Sequence, residues 1–195
     1  MRSDAATLRL ATLPGAGLLT DAVLVCLGAG LIAGSAQVSI PLPFTPVPIT
    51  GQTFAVLLVG ASLGRARGGA SALLYVLLGI AGAPVYAHGA AGWAVITGAS
   101  GGYLLSYPFA SALTGFLAER RWDRRFSSAI GAMLTGNVLI YLFGLPWLAA
   151  VLHTGLEKTL ELGLYPFVPG DTLKLYLAAA LLPAAWRYAG RANGR

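Results

Sequence analysis

The sequence predicts an all-α membrane protein, a bundle of six transmembrane helices with both termini on the cytoplasmic side, and three observations lead to that class. Of 195 residues, 56% are apolar and 10% charged, with a mean hydropathy of +0.73, far from the roughly 25% charged composition of soluble domains. The charges leave three long gaps, of 43 residues between Asp21 and Arg65, 51 between Arg67 and Glu119, and 31 between Arg125 and Glu157. Finally, 11 of the 13 basic residues fall on one side of the bundle these gaps imply, as expected where short cytoplasmic loops hold an excess of Lys and Arg.

A spanning helix needs about 20 mostly apolar residues, so the first two gaps hold two helices each. The first helix is expected over 18–38. Pro41, Pro43, Pro46 and Pro48 then forbid helix, and a second, short one starts at Gln52 and runs to about residue 64. The third is expected over 68–84, before a glycine-rich stretch from Gly82 to Gly102 interrupts it, and the fourth over 103–118. The fifth covers 127–151. The sixth, 167–188, is long enough only if it takes Asp171 and Lys174 into its first turns. Arg2 and Arg9 precede the first helix, Arg65 and Arg67 separate the second from the third, Arg120, Arg121, Arg124 and Arg125 the fourth from the fifth, and Arg187, Arg191 and Arg195 follow the sixth. Residues 1–195 thus read as one integral membrane domain in the cytoplasmic (inner) membrane. A cleavable signal peptide competes at the N-terminus, where the apolar stretch ends in the small residues Gly34 and Ala36. That stretch is longer than a signal's apolar region, and its loss would break the even helix count.

Several function classes drop out. The net charge of +6 follows from membrane orientation and does not call for nucleic acid. The single cysteine, Cys26, permits no disulfide framework or cysteine metal cluster. An intramembrane enzyme would need a nucleophile with a base, or a metal cluster. The two histidines, His88 and His153, have no H-x-x-x-H spacing, so neither a catalytic residue nor a metal ligand is assigned.

The outward connections carry the functional signal. Residues 37–52 (QVSIPLPFTPVPITGQ) and 85–103 (VYAHGAAGWAVITGASGGY) contain no Asp, Glu, Lys or Arg, which predicts segments folded into the protein. Irregular backbone at membrane depth is tolerated where it is buried or lines a cavity, and Gly/Pro-interrupted apolar segments point to a transporter's binding site. The Pro-rich segment is stiff and serves either as the wall of a site or as a plug. The third connection carries Glu157, Lys158 and Glu161, spaced for a short surface helix with a local charge pair. After it, PFVPGDTLK offers Asp171 as the cap of the last helix, with Lys174 at i+3 on the same face. Ionisable residues in a spanning segment generally face a bundle interior or a watery cavity. Lys174 there would take an anionic group such as a carboxylate, or else the pair neutralises itself or snorkels. In the first helix, Ala29 with Ala33 and Gly30 with Gly34 form small-x-x-x-small pairs that let another helix approach.

The strings QVSIPLPFTPVPITGQTFAVLLVGASLG, LLYVLLGIAGAPVYAHGAAGWAVITGASGGYLLSYP, GNVLIYLFGLPWL and PFVPGDTLK, spread over roughly Ala22 to Leu181, resemble the BioY family. Its members are the biotin-specific S components of energy-coupling factor (ECF) transporters. The resemblance implies a six-helix bundle that captures biotin near the outer surface. Uptake would proceed with a transmembrane T component and two ATPase subunits that use the ATP. The chain itself would hold no cofactor, and it contains no Gly-x-x-x-x-Gly-Lys-Ser/Thr phosphate loop.

By the family's motifs, Lys174 would contact the biotin carboxylate, while Asp171 orients the lysine or accepts an N–H. Gln52 would offer a donor and an acceptor, and Tyr86, Trp93 and Tyr103 an apolar wall with hydrogen-bonding tips. Ser100, in Gly98-Ala99-Ser100-Gly101-Gly102-Tyr103, keeps the hydroxyl of the family's Gly-Pro-Thr-Gly-Gly-Tyr, whereas Ala99 loses the proline's stiffness. His88 and Asn137 are further binding candidates, each also open to a structural reading, Asn137 as an interhelical hydrogen bond. Ala29 and Ala33 match the face of the first helix with which S components meet the T component, and intrachain packing is the other reading. The rival functions are an S component for another vitamin, such as thiamine or riboflavin, and a structural membrane subunit.

Overall fold

The structure, a computed structural model, describes residues 7–12 and 17–192. Arg2 and Arg195, and the side chain of Arg191, belong to the inward-facing set above but lie outside the described residues. The chain is mostly helical. A short α1 (Leu8–Thr12) is followed by α2 (Leu18–Ala36), a two-stranded antiparallel ribbon of β1 (Ser39–Ile40) and β2 (Ile49–Thr50), α3 (Gln52–Leu63) and α4 (Arg65–Ile80). Beyond a one-turn 3-10 segment (Ala87–Gly89) come α5 (Trp93–Thr97), α6 (Gly101–Glu119), α7 (Phe126–Leu152), α8 (Leu156–Gly163) and α9 (Val168–Ala192).

Helix ends differ from the sequence reading where side chains and glycines decide them. The helix expected from residue 68 starts at Arg65, because Gly64 takes φ +87° and the Glu119 carboxylate accepts the Arg65 backbone N–H at 2.8 Å, supplying one of the partners a helix start lacks. It stops at Ile80, just before Gly82 at φ +99° and Pro84. Asp171 is not the cap of the last helix. That helix begins at Val168 and carries Pro169 in its first turn, where a missing N–H costs nothing. The Asp171 N–H already donates to the Phe167 carbonyl at 2.8 Å.

The centre of the bundle is α6, which packs against α3, α4 and α7, while α9 lies against α7 and α3, and α2 against α4 and α3. Glycines allow these helices to touch backbone to backbone. A Cβ on Gly60 would collide with the Ser111 carbonyl of α6, and one on Gly68 would lie 2.6 Å from the Gly60 Cα, the close approach that small residues give membrane helices. Among the described residues, two helices, Leu18–Ala36 and Phe126–Leu152, are long and apolar enough to cross a bilayer, and Gln52–Leu63 is apolar but shorter. Their outer faces are greasy, with Leu19 81%, Leu27 64% and Leu142 65% exposed.

The two uncharged segments, expected to face outward, fold over one end of the bundle. The ribbon's connection buries Val47, and Thr45 donates to the Leu162 carbonyl of α8 at 2.7 Å. Gln37 donates to the Tyr86 carbonyl at 3.1 Å, tying the start of the ribbon to the second segment. On α8 itself, Lys158 and Glu161 pair at 2.8 Å on the surface.

Candidate functional site

Beneath these segments lies a cavity of about 250 Å³, walled by residues of the ribbon, the 81–100 connection, α3, α6, α7 and the start of α9. Seven of the residues expected at a site reach it: Gln52, Tyr86, His88, Ser100, Tyr103, Asp171 and Lys174. The reason is topological. The ribbon leads into the first turn of α3, the glycine-rich segment into the first turns of α6, and residues 164–167 into the first turn of α9, so three helix starts converge at one end.

The polar wall centres on Asp171 and Lys174. The Lys174 ammonium donates to Asp171 Oδ1 at 3.0 Å and to Thr53 Oγ1 at 3.1 Å, two of the three bonds an ammonium can give. Asp171 Oδ2 accepts from Tyr141 Oη and, at 3.2 Å, from Asn137 Nδ2. Both donors stand on α7 one turn apart, at i and i+4, and point toward α9. Asp171, 6% exposed, therefore has both oxygens engaged by the protein. That arrangement suits a carboxylate that fixes a lysine, since a buried charge is tolerated only when paired and hydrogen-bonded.

The aromatic wall is seated on glycines. The Tyr86 ring lies where a Cβ on Gly79 would be, and the Tyr103 ring where one on Gly144 would be. Their hydroxyls point away from the cavity into backbone acceptors, Tyr86 to the Val76 carbonyl at 2.7 Å and Tyr103 to the Gly163 carbonyl at 2.9 Å. Each ring lines the cavity while its hydroxyl spends its hydrogen on a backbone carbonyl of the chain. Burial raises the Tyr86 hydroxyl to about 12. At the mouth, His88 adopts φ +58°, uncommon for a residue with a side chain, and its Nε2 lies 3.1 Å from Ser39 Oγ.

Four expected site residues fall elsewhere. Trp93 is 63% exposed at the start of α5 and does not line the cavity. Two residues on in this short helix, Val95 turns inward instead, and Tyr107 and Phe167 complete the apolar wall. Asn137 lies behind Asp171, facing a space of about 10 Å³ shared with Thr53 and Met133; its amide joins α7 to α9. On α2, Ala29 is 2% exposed inside the bundle and Ala33 packs on the core, whereas a Cβ on Gly30 or Gly34 would project into open space, with no other atom of the described residues within 4 Å. The helical phase turns the glycine pair outward, so the outward small face is one residue along from the expected pair.

Thr53, Tyr107 and Tyr141 were not expected at the site. Thr53 is the next residue after Gln52, and Tyr141 stands one turn beyond Asn137 on the same helix face, so sequence adjacency and helical period could have pointed to them. A single tyrosine or threonine in an apolar helix otherwise carries no mark of function.

The sequence model of the BioY family matches residues 5–191. A biotin transporter BioY from Rhizobium etli is 36% identical over 169 residues, covering 83% of this chain and 90% of that protein. The biotin transporter BioY of Thermotoga maritima is 36% identical over 151 residues, covering 77% and 86%. Among solved structures, the S-component for biotin from an ECF-type ABC transporter superposes with a TM-score of 0.78 at 27% identity, covering 87% of this chain and 92% of that one.

Proposed function

The chain belongs to the BioY family, and from that premise we propose that it captures biotin in the cavity beneath its outward segments and is the substrate-specificity subunit for biotin uptake. It is a membrane-embedded transport protein rather than an enzyme, as its relatives are transporters. In this reading six helices, α2, α3, α4, α6, α7 and α9, cross the cytoplasmic membrane as one domain. Both termini are inside, an orientation supported by Arg65, Arg67, Arg120 and Arg125 at one end and the cavity at the other. An ECF T component and two ATPase subunits supply the energy, and the chain needs no cofactor of its own.

The observation that carries the biotin reading is Lys174, held against the cavity by Asp171 and Thr53 with one of its three donor positions unspent. Biotin has an apolar tail ending in a carboxylate and a ureido ring with two N–H groups and one carbonyl. A cation, an apolar slot and a few fixed polar groups match it. Lys174 takes the carboxylate, Asp171 orients Lys174, and the rings of Tyr86, Tyr103 and Tyr107 enclose the tail and bicycle.

Isothermal titration of the purified chain in detergent with biotin and biotin methyl ester, in wild type and Lys174→Ala, tests this. A charge-assisted hydrogen bond contributes about 1.5–3 kcal/mol, so either change should weaken binding about 10- to 100-fold. Binding indifferent to both moves the carboxylate elsewhere in the cavity. No biotin binding, with thiamine or riboflavin bound instead, overturns the substrate.

A further inference from the structure

Gln52 opens α3 and is 5% exposed at the cavity wall. Its carboxamide is gripped at both ends: Tyr107 Oη donates to Oε1 at 2.9 Å, and Nε2 donates to Tyr75 Oη at 2.7 Å. The two tyrosines come from α6 and α4, and their rings stack at 6.5 Å between centroids with 24° between planes. Tyr86 meets Tyr75 edge-on at 5.6 Å. Tyr107 lines the cavity, but Tyr75, with no exposure, does not. Its hydroxyl reaches the cavity wall through the Gln52 carboxamide.

A primary carboxamide has two lone pairs and two N–H groups. The tyrosines use one of each, leaving one acceptor and one donor. An unrestrained amide turns about its last side-chain bond and presents these two in any direction. A buried clamp removes that freedom, and low local polarity strengthens each bond in it. A cyclic urea presents an N–H next to a carbonyl, and so needs one acceptor and one donor fixed in one plane.

We propose that Tyr75 is a positioning residue for ligand recognition, holding with Tyr107 the plane of the Gln52 carboxamide so that its remaining N–H and carbonyl lone pair meet the ureido ring of biotin. This deepens, and rests on, the biotin reading above. Tyr107 grips the amide from the cavity side and Tyr75 from behind, where no ligand contact can account for its effect.

The test is a double-mutant cycle on the full chain, measuring biotin affinity for wild type, Tyr75→Phe, Gln52→Met and the double variant, with melting temperature as a check on folding. Loss of one hydrogen bond corresponds to about a 3- to 10-fold loss of affinity, expected for Tyr75→Phe when Gln52 is present and less than about 2-fold when Met replaces it. An equal loss in both backgrounds makes Tyr75 merely structural and overturns the proposal. So does no loss with Gln52 present. Should Tyr75→Phe fail to fold, Tyr107→Phe goes through the same cycle under the same criteria. Wild type that binds no biotin overturns the biotin reading and the relay together, whereas a failed cycle on a biotin-binding chain overturns the relay alone.

Discussion

Asp123, in the turn between α6 and α7, shows what burial does to a single charge in this molecule. It has no exposed surface, and its Oδ2 accepts from Trp186 Nε1 while Oδ1 has no hydrogen-bond partner among the described residues. The Arg124 guanidinium stands 3.7 Å above the Trp186 ring. Burial pushes the Asp123 carboxyl up to about 6, against the smaller opposing effects of the Trp186 hydrogen bond and Arg124. Because the folded pKa lies above that of the unfolded chain, the folded state holds the extra proton between about pH 4 and pH 6, and stability falls as pH rises through that window. Wild type should therefore melt higher at pH 5 than at pH 7.5. Asp123→Asn keeps an acceptor for Trp186 and should abolish most of that difference. Melting curves of both proteins at the two pH values check it; a wild type that melts no higher at pH 5 removes the effect.

At the scale of the element, α2 divides its small residues between two jobs. Ala29 is packed inside with Gly28, whose missing Cβ leaves room for Ser71, while Gly30 and Gly34 look outward between exposed leucines. The face open to a partner helix is thus the glycine pair. Gly34→Leu is expected to leave biotin binding and melting temperature close to wild type but to abolish co-purification with the T component. Ala29→Leu overfills the core and should lower stability by about 1–3 kcal/mol. Thermal melts combined with co-purification decide it: retained docking in a folded Gly34→Leu chain sinks the assignment. The small-x-x-x-small spacing was legible in the sequence. Which of two adjacent pairs faces outward was not, because both repeat every four residues and only the packing of α2 on α3 and α4 fixes the rotation of the helix.

For the whole molecule, the proposed orientation, arginine loops inside and cavity outside, makes a definite prediction. In a Cys26→Ser background, Lys158→Cys on α8 should react with a membrane-impermeant maleimide on intact cells, whereas Ala66→Cys, exposed at the start of α4, should react only after permeabilisation. Labelling of Ala66→Cys in intact cells would invert the topology. The same scale explains the convergence of the site. Gln52, Ser100, Tyr103, Asp171 and Lys174 were picked as separate marks along the chain, and each stands in or beside the first turn of α3, α6 or α9. Neighbouring helices bring those three turns to one end of the bundle.

By itself the sequence determined the helical membrane class, the uncharged segments folded into the protein and the Asp171–Lys174 pair, because hydropathy, charge placement and helical period are properties of short stretches. Tertiary structure alone decided that Asp171 is engaged by Tyr141 and Asn137, that the hydroxyls of Tyr86 and Tyr103 are bound to backbone carbonyls, and that Trp93 stays outside while Tyr75 and Tyr107 grip Gln52. The physical reason is that a buried polar group takes its partner from whichever helix lies opposite. Which helix lies opposite depends on rotation and depth within the bundle, and neither is written in local spacing.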